Sequence, residues 1–261
     1  MERNKELLLA FNFNKRGQVA IFIIIGILLV VAIILIFIFW KSPDIDRPSP
    51  FSPSTYISSC VKDSAKKAIP ILSENGGSIT PKNGISYRSK NFAYLCYNAN
   101  YYESCVNQQP MLIEHMEEEI TEYIRPEVKD CFSGLQRQLE SQGYQVSLGP
   151  LKIETELRPN RIVVTTNRKI TISKGEDTRS FTDFETKFPT ALYEFGDVAT
   201  EIVNQETGNC GFDTLTFMLM HPEYDVRKKV VEDSNLYTLK SLETGEEFKF
   251  ATRSCAMPPG I

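Results

Sequence analysis

One uninterrupted apolar run dominates the hydropathy pattern. Val19 to Trp40 spans 22 residues without a charge or a proline. As a helix at about 1.5 Å per residue it reaches about 33 Å, against about 30 Å for the hydrocarbon core of a bilayer. Backbone polar groups in lipid must bond within the segment, so a single span has to be helical. The run therefore predicts a transmembrane helix, bounded as residues 18–40. A secretory h-region is shorter, and the flank IFIFWKSP puts large side chains where signal cleavage needs small ones.

Beyond the run the pattern changes to amphipathic periods. Ile57, Cys60, Val61, Ser64, Ala65, Ala68, Ile69 and Leu72 share one helical face within Tyr56–Leu72. Ser54 or Thr55 is placed to cap that helix, Pro70 to bend its last turn, and Asn75-Gly76-Gly77 to stop it. A second helix is predicted from about Pro110, with Leu112, Ile113, Met116, Ile120, Tyr123, Ile124, Val128, Cys131, Phe132, Leu135 and Leu139 on its stripe. Pro126 should kink or break it.

Alternation then takes over. Leu151 to Leu157, the run from Ile162 through Ser173, and Ser180 to Phe188 predict a three-stranded antiparallel meander. Pro189 opens a further helix reaching about Asn204, stopped by Gly208-Asn209. Three last β-like runs follow: Asp213–Met220, Tyr237–Leu242 and Glu247–Thr252, the last two joined around Thr244-Gly245. The predicted fold class is α+β. A single N-terminal transmembrane helix precedes a disulfide-linked head of two N-terminal helices, an antiparallel sheet and an inserted helix.

Charge sets the orientation. Arg3, Lys5, Lys15 and Arg16 precede the span, whereas Lys41 and Arg47 after it are mixed with Asp44 and Asp46. The positive-inside rule keeps residues 1–17 in the cytoplasm and the remainder outside the cell membrane. Residues 41–55 contain Pro43, Pro48, Pro50 and Pro53 and read as an extended spacer before a head at 56–261. The whole chain carries −4 and residues 1–40 carry +2, so the rest carries −6. Such a surface disfavours nucleic acid and anionic headgroups.

All six cysteines lie beyond the span, on the side that topology makes oxidising. Cys60 and Cys131 each sit on the apolar face of a helix, and packing those faces would bring them together. Cys96 and Cys105 flank the polar loop YNANYYES and suit a local bridge. Cys210 and Cys255 pair by elimination. The alternatives are free core thiols or metal ligands, although no close C-x-x-C pair marks a zinc site.

Lys15-Arg16-Gly17-Gln18-Val19, running straight into an apolar helix, resembles the class III signal of archaeal type IV pilin-like proteins. The resemblance implies that a prepilin-type peptidase cuts between Gly17 and Gln18 and leaves the helix as an anchor or a filament core. Processing by itself does not imply a filament; in the filament case the apolar helix would serve self-assembly, and otherwise it would meet protein partners. Phe22 stands where bacterial prepilins carry glutamate, and an uncleaved anchor remains the other reading. The GQVxIF anchor, the two cysteine helices and the closing FKFATR run together resemble a group of uncharacterised archaeal membrane proteins. That second resemblance supplies no activity.

The search for chemistry gives few candidates. His115 stands with Glu118 and Glu119 at helical spacing, but without a second histidine the H-E-x-x-H zinc pattern is missing. The cluster reads as a solvated acidic face, and His221 as a turn residue. Cys210 beside Gly211 has the look of a nucleophile but lacks an assured histidine partner. Glu154 and Glu156 alternate outward on one strand rather than converging on a cleft. No phosphate-binding or nucleophile-elbow glycine motif occurs. No catalytic residue, cofactor or metal is assigned. Tyr97, Tyr101 and Tyr102, with Phe92 and Tyr94, form an aromatic group around the Cys96–Cys105 loop suited to partner contact. The expectation is a non-catalytic anchored surface protein with a structural or interaction role. The alternatives are an anchored extracytoplasmic hydrolase and an accessory subunit of a larger membrane complex.

Overall fold

The computed structural model of the chain describes residues 24–35 and 52–258. Residues 24–35 form a helix, α1, whose side chains are all exposed. Among the described residues no helix is long and apolar enough to cross a membrane. The rest of the run 18–40, the leader 1–17 with Gly17 and Gln18, and most of the spacer lie outside the described residues. Ser52–Ile261 forms a compact unit of its own.

That unit begins earlier than its sequence pattern suggests. Helix α2 runs Pro53–Glu74, so residues 53–55 of the predicted spacer are its first turn. Ser52, not Ser54 or Thr55, is the N-cap and accepts from Thr55 N at 3.5 Å. Proline suits the first helical position because its missing N–H would go unused there. Helix α3, Leu112–Ser141, continues unbroken through Pro126. Pro126 lies on the exposed face, where water can serve the carbonyl that loses its partner. The buried faces are the predicted stripes: Ile57, Val61, Ala65, Ala68 and Leu72 of α2, and Met116, Ile120, Ile124, Val128 and Leu135 of α3.

The β structure departs from a single antiparallel sheet. Strands β1 (Gly84–Tyr87), β2 (Lys90–Tyr97) and β3 (Val106–Asn107) precede α3 and carry no long alternation. β4 is Gln145–Leu148, β5 Lys152–Arg158, β6 Arg161–Asn167, β7 Ile170–Lys174, β8 Asp177–Phe181 and β9 Phe184–Phe188. The expected meander is two separate three-stranded sheets, β5-β6-β9 and β4-β7-β8. Its middle run is interrupted at Arg168-Lys169 and its return run at Thr182-Asp183, where Asp183 has φ of 57°. Each break hands the chain from one sheet to the other.

Helix α4, Leu192–Asn209, runs five residues beyond the predicted end and stops at Cys210, which takes the left-handed φ of 56°. Gly208 and Asn209 stay helical, so the stop is set at the next residue. The predicted strand Asp213–Met220 is a helix, α5, Thr214–Met220. Asp213 caps it, accepting from Leu215 N at 3.1 Å and Thr216 N at 3.2 Å. The cap outweighs the β-like composition of the segment. Three strands close the chain: β10 (Tyr224–Val231), β11 (Ser234–Ser241) and β12 (Glu247–Arg253).

The largest sheet has the order β1-β2-β12-β11-β10, with β3 on β2. Its β2–β12 pair is parallel, a further departure from the antiparallel expectation. Parallel neighbours need a long crossover, and everything from α3 to β11 lies between these two strands. One face of the sheet meets the helices through Tyr237, Phe248 and Phe250, all fully buried. Phe195 of α4 stacks on Phe248 at 5.9 Å. Glu246, in the turn before β12, accepts from Ala191 N at 2.6 Å and so fixes the start of α4.

Candidate functional site

The structure joins all six cysteines as Cys60–Cys131, Cys96–Cys105 and Cys210–Cys255, and no cysteine is free. Their Cα separations are 6.3, 5.4 and 5.5 Å. The first ties α2 to α3. The second closes the tyrosine loop between β2 and β3. The third ties the end of α4 to the segment after β12. Cys210 therefore carries no thiol.

The tyrosine loop is built rather than loose. Arg253, almost fully buried, donates to the carbonyls of Asn98 and Asn100. Its guanidinium also lies 5.8 Å from the Tyr97 ring and 5.2 Å from the Tyr101 ring. Asp233 holds the other side of that guanidinium, at 2.8 Å from Nε and 2.7 Å from Nη2. The pairing keeps the Asp233 carboxyl below its ordinary range. Asn98 and Asn100 donate to Glu103, Tyr102 N to Ala256 O, and Cys255 N to Glu103 O. On this frame Tyr101 is 41% and Tyr102 62% exposed, while Tyr97 is half-buried.

His115, Glu118 and Glu119 do not form a purely solvated face. His115 Nε2 is 2.9 Å from Ser78 Oγ, and Glu119 accepts from Ile79 N at 2.7 Å. The two residues clamp the segment after α2 onto α3. Glu154 and Glu156 point outward and pair with Lys152 and Arg158 of their own strand. Among the described residues no group of three or more His, Cys, Asp or Glu is placed to hold a metal ion.

A second site was hidden in the sequence because α5 reads as a strand. Helix α5 packs on β10, and between it and α4 lies a groove of about 490 Å³. Helix α4 lines it with Glu194, Asp197 and Glu201, at the three- and four-residue spacing of one helical face. The other wall carries Phe212, Phe217 and Tyr224 with His221. The Phe217 ring stacks on His221 at 4.5 Å and meets Phe212 at 5.4 Å and Tyr224 at 6.3 Å. Asp213 and Glu223 add two more carboxylates.

The groove is electronegative. Asp197 is exposed, yet partial desolvation in the groove raises its carboxyl above its ordinary value. The Tyr224 phenol is pushed up by burial and then by the charges of Glu194, Glu223 and Asp197. Glu194 accepts from Asn160 N through one oxygen, and its other oxygen is buried without a partner. Outside the groove α5 exposes Leu215 (66%) and Leu219 (76%), and at its rim Met220 (67%). Only its Phe217 is buried.

No family model, curated protein or solved structure matches this chain.

Proposed function

We propose that the chain is a membrane-anchored extracytoplasmic protein with a pilin-like leader, whose head works by binding rather than by catalysis. The observation that carries this reading is the placement of the cysteines. All six lie beyond the apolar run, and all six are paired. Disulfides persist on the oxidising side of a membrane, and the basic residues before the run direct the following chain to that side. In this reading residues 18–40 hold the protein in the lipid bilayer, and a prepilin-type peptidase removes residues 1–17 by cutting after Gly17. The tyrosine loop is the contact surface, because rings held on a fixed frame lose little entropy when they bind.

The experiment is mass determination of the protein from its native membrane, together with external protease treatment of intact cells. A mass corresponding to a chain that starts at Gln18, with the head digested from outside, is the expected result. A head protected from external protease overturns the location. A chain that retains residues 1–17 overturns the processing alone. Replacing Tyr101 and Tyr102 by serine tests the contact surface. Association with partners or with other copies should be lost, and unchanged association removes the loop from the reading.

A further inference from the structure

The groove between α4 and α5 has two properties that seldom occur together. One wall is aromatic, and the facing wall on α4 carries carboxylates. Rings attract cations through their faces, most strongly where water is thin. The carboxylates add long-range attraction for the same charge. A bare metal ion is a poor occupant, since the acids are strung along a helix face and do not converge into a chelating group among the described residues. A groove of about 490 Å³ instead fits a side chain with an extended cationic head. The aliphatic shoulder beside it narrows the choice further. Leu215 and Leu219 stand one turn apart on α5, and Met220 connects them to the rim of the groove. A free small cation would leave that shoulder in water, whereas a peptide segment would cover it. Anionic headgroups and nucleic acid are repelled by the same carboxylates.

We propose that this groove docks a basic segment of a partner protein, taking a lysine or arginine side chain between the rings and acids while Leu215, Leu219 and Met220 receive its aliphatic neighbours. The inference rests on reading the head as a binding module. It is independent of the tyrosine loop and of where the protein resides. Glu194, a groove-lining residue, keeps one oxygen buried without a hydrogen-bond partner, and a docked cation would offer it a donor once that carboxylate turns toward the groove.

The test uses the full chain in detergent and a fluorescent peptide of alternating arginine and leucine. Two control peptides carry citrulline for arginine or serine for leucine. Asp197 and Glu201 are exposed on α4, so Asp197→Asn with Glu201→Gln removes charge without disturbing the core. The expected result is binding of the arginine–leucine peptide that weakens by about tenfold in the double variant and with the citrulline peptide. Leu219→Ser and the serine peptide should each weaken it by several-fold. Circular dichroism of every variant should match the parent. Equal binding of the citrulline peptide, equal affinity in the double variant, or no binding at all overturns the proposal. Arginine amide binding as tightly as the peptide overturns the assignment to a protein segment. None of these outcomes bears on anchoring, which the protease and mass measurements decide separately.

Discussion

Tyr237 of β11 donates its phenol proton to Glu206 of α4, and both side chains are fully buried. Asn235 adds a second donor to the same oxygen at 3.1 Å, and Lys228 of β10 stands 3.6 Å from it. Ser254 donates to the Glu206 carbonyl at 2.7 Å and accepts from Cys105 N at 3.1 Å. One acidic side chain thus gathers the last turn of α4 and two strands, and its backbone reaches the second disulfide. Tyr237, Asn235 and Lys228 all meet Oε1, while Oε2 is buried without a hydrogen-bond partner, so the buried carboxylate relies on that one well-served oxygen.

Glu206→Ala should therefore destabilise the head by about 3 kcal/mol, because it strands the donors and opens a hole. Tyr237→Phe should cost about 2 kcal/mol by removing one hydrogen bond to a charged acceptor. Denaturant unfolding followed by tryptophan-independent circular dichroism measures both. A loss below about 0.5 kcal/mol in either variant would show that the cluster contributes little.

Gly196 of α4 faces α3 at close range. A Cβ placed there would lie 2.7 Å from Ile113 Cγ1 and 3.0 Å from Met116 Cε. Met116 is fully buried, so the contact has little room to relax. Gly196→Ala should lower stability by about 1–3 kcal/mol despite the gain in helix propensity. Ile113→Ala in the same chain should recover part of that loss, and a thermal unfolding comparison of the single and double variants checks it.

The disulfides should differ in worth. Cys60–Cys131 closes a separation of 71 residues and Cys96–Cys105 one of 9. Restricting the longer loop stabilises by about 4 kcal/mol, against about 2.5 kcal/mol for the shorter. Paired serine replacement at Cys60 and Cys131 should therefore lower the unfolding midpoint more than replacement at Cys96 and Cys105. Equal or inverted shifts would count against the loop-closure account.

Asp233 gives the pH dependence a sign. Its folded carboxyl is depressed, first by the hydrogen bond from Arg253, so its contribution is present above the unfolded value of about 4. That contribution is lost as pH falls through the folded value. Arg253 is the charged group facing it, with Tyr94, Tyr97 and Tyr101 packed around the pair. The stability gap between the parent and Asp233→Asn should be widest near neutrality and should shrink below about pH 4. A gap that stays constant from neutral to acid would detach the carboxylate from the effect.

The main helices were legible because their apolar positions repeat every three or four residues over long stretches. The stripe of α2 names its buried face except for the half-buried Cys60, and that of α3 except for the half-buried Ile113 and Tyr123. Strand β5 was equally plain, with Ile153, Thr155 and Leu157 inward and Glu154 and Glu156 outward. β10 was not. Its sequence YDVRKKVV buries only Val226, since it forms the edge of its sheet and asks little of its side chains. The groove was missed because α5 is short, exposed and rich in β-like residues, so its helical state depends on the Asp213 cap.

The sequence by itself determined the apolar run, the placement of all six cysteines after it, and the faces of the long helices. Each of these is written in local period or chain position. Tertiary structure alone decided the parallel β2–β12 pair, the division of the meander into two sheets, the burial of Glu206 and the groove beside α5. Those features join residues far apart in the chain, or rest on which of two local preferences survives packing. Their energies come from contacts that no local pattern encodes.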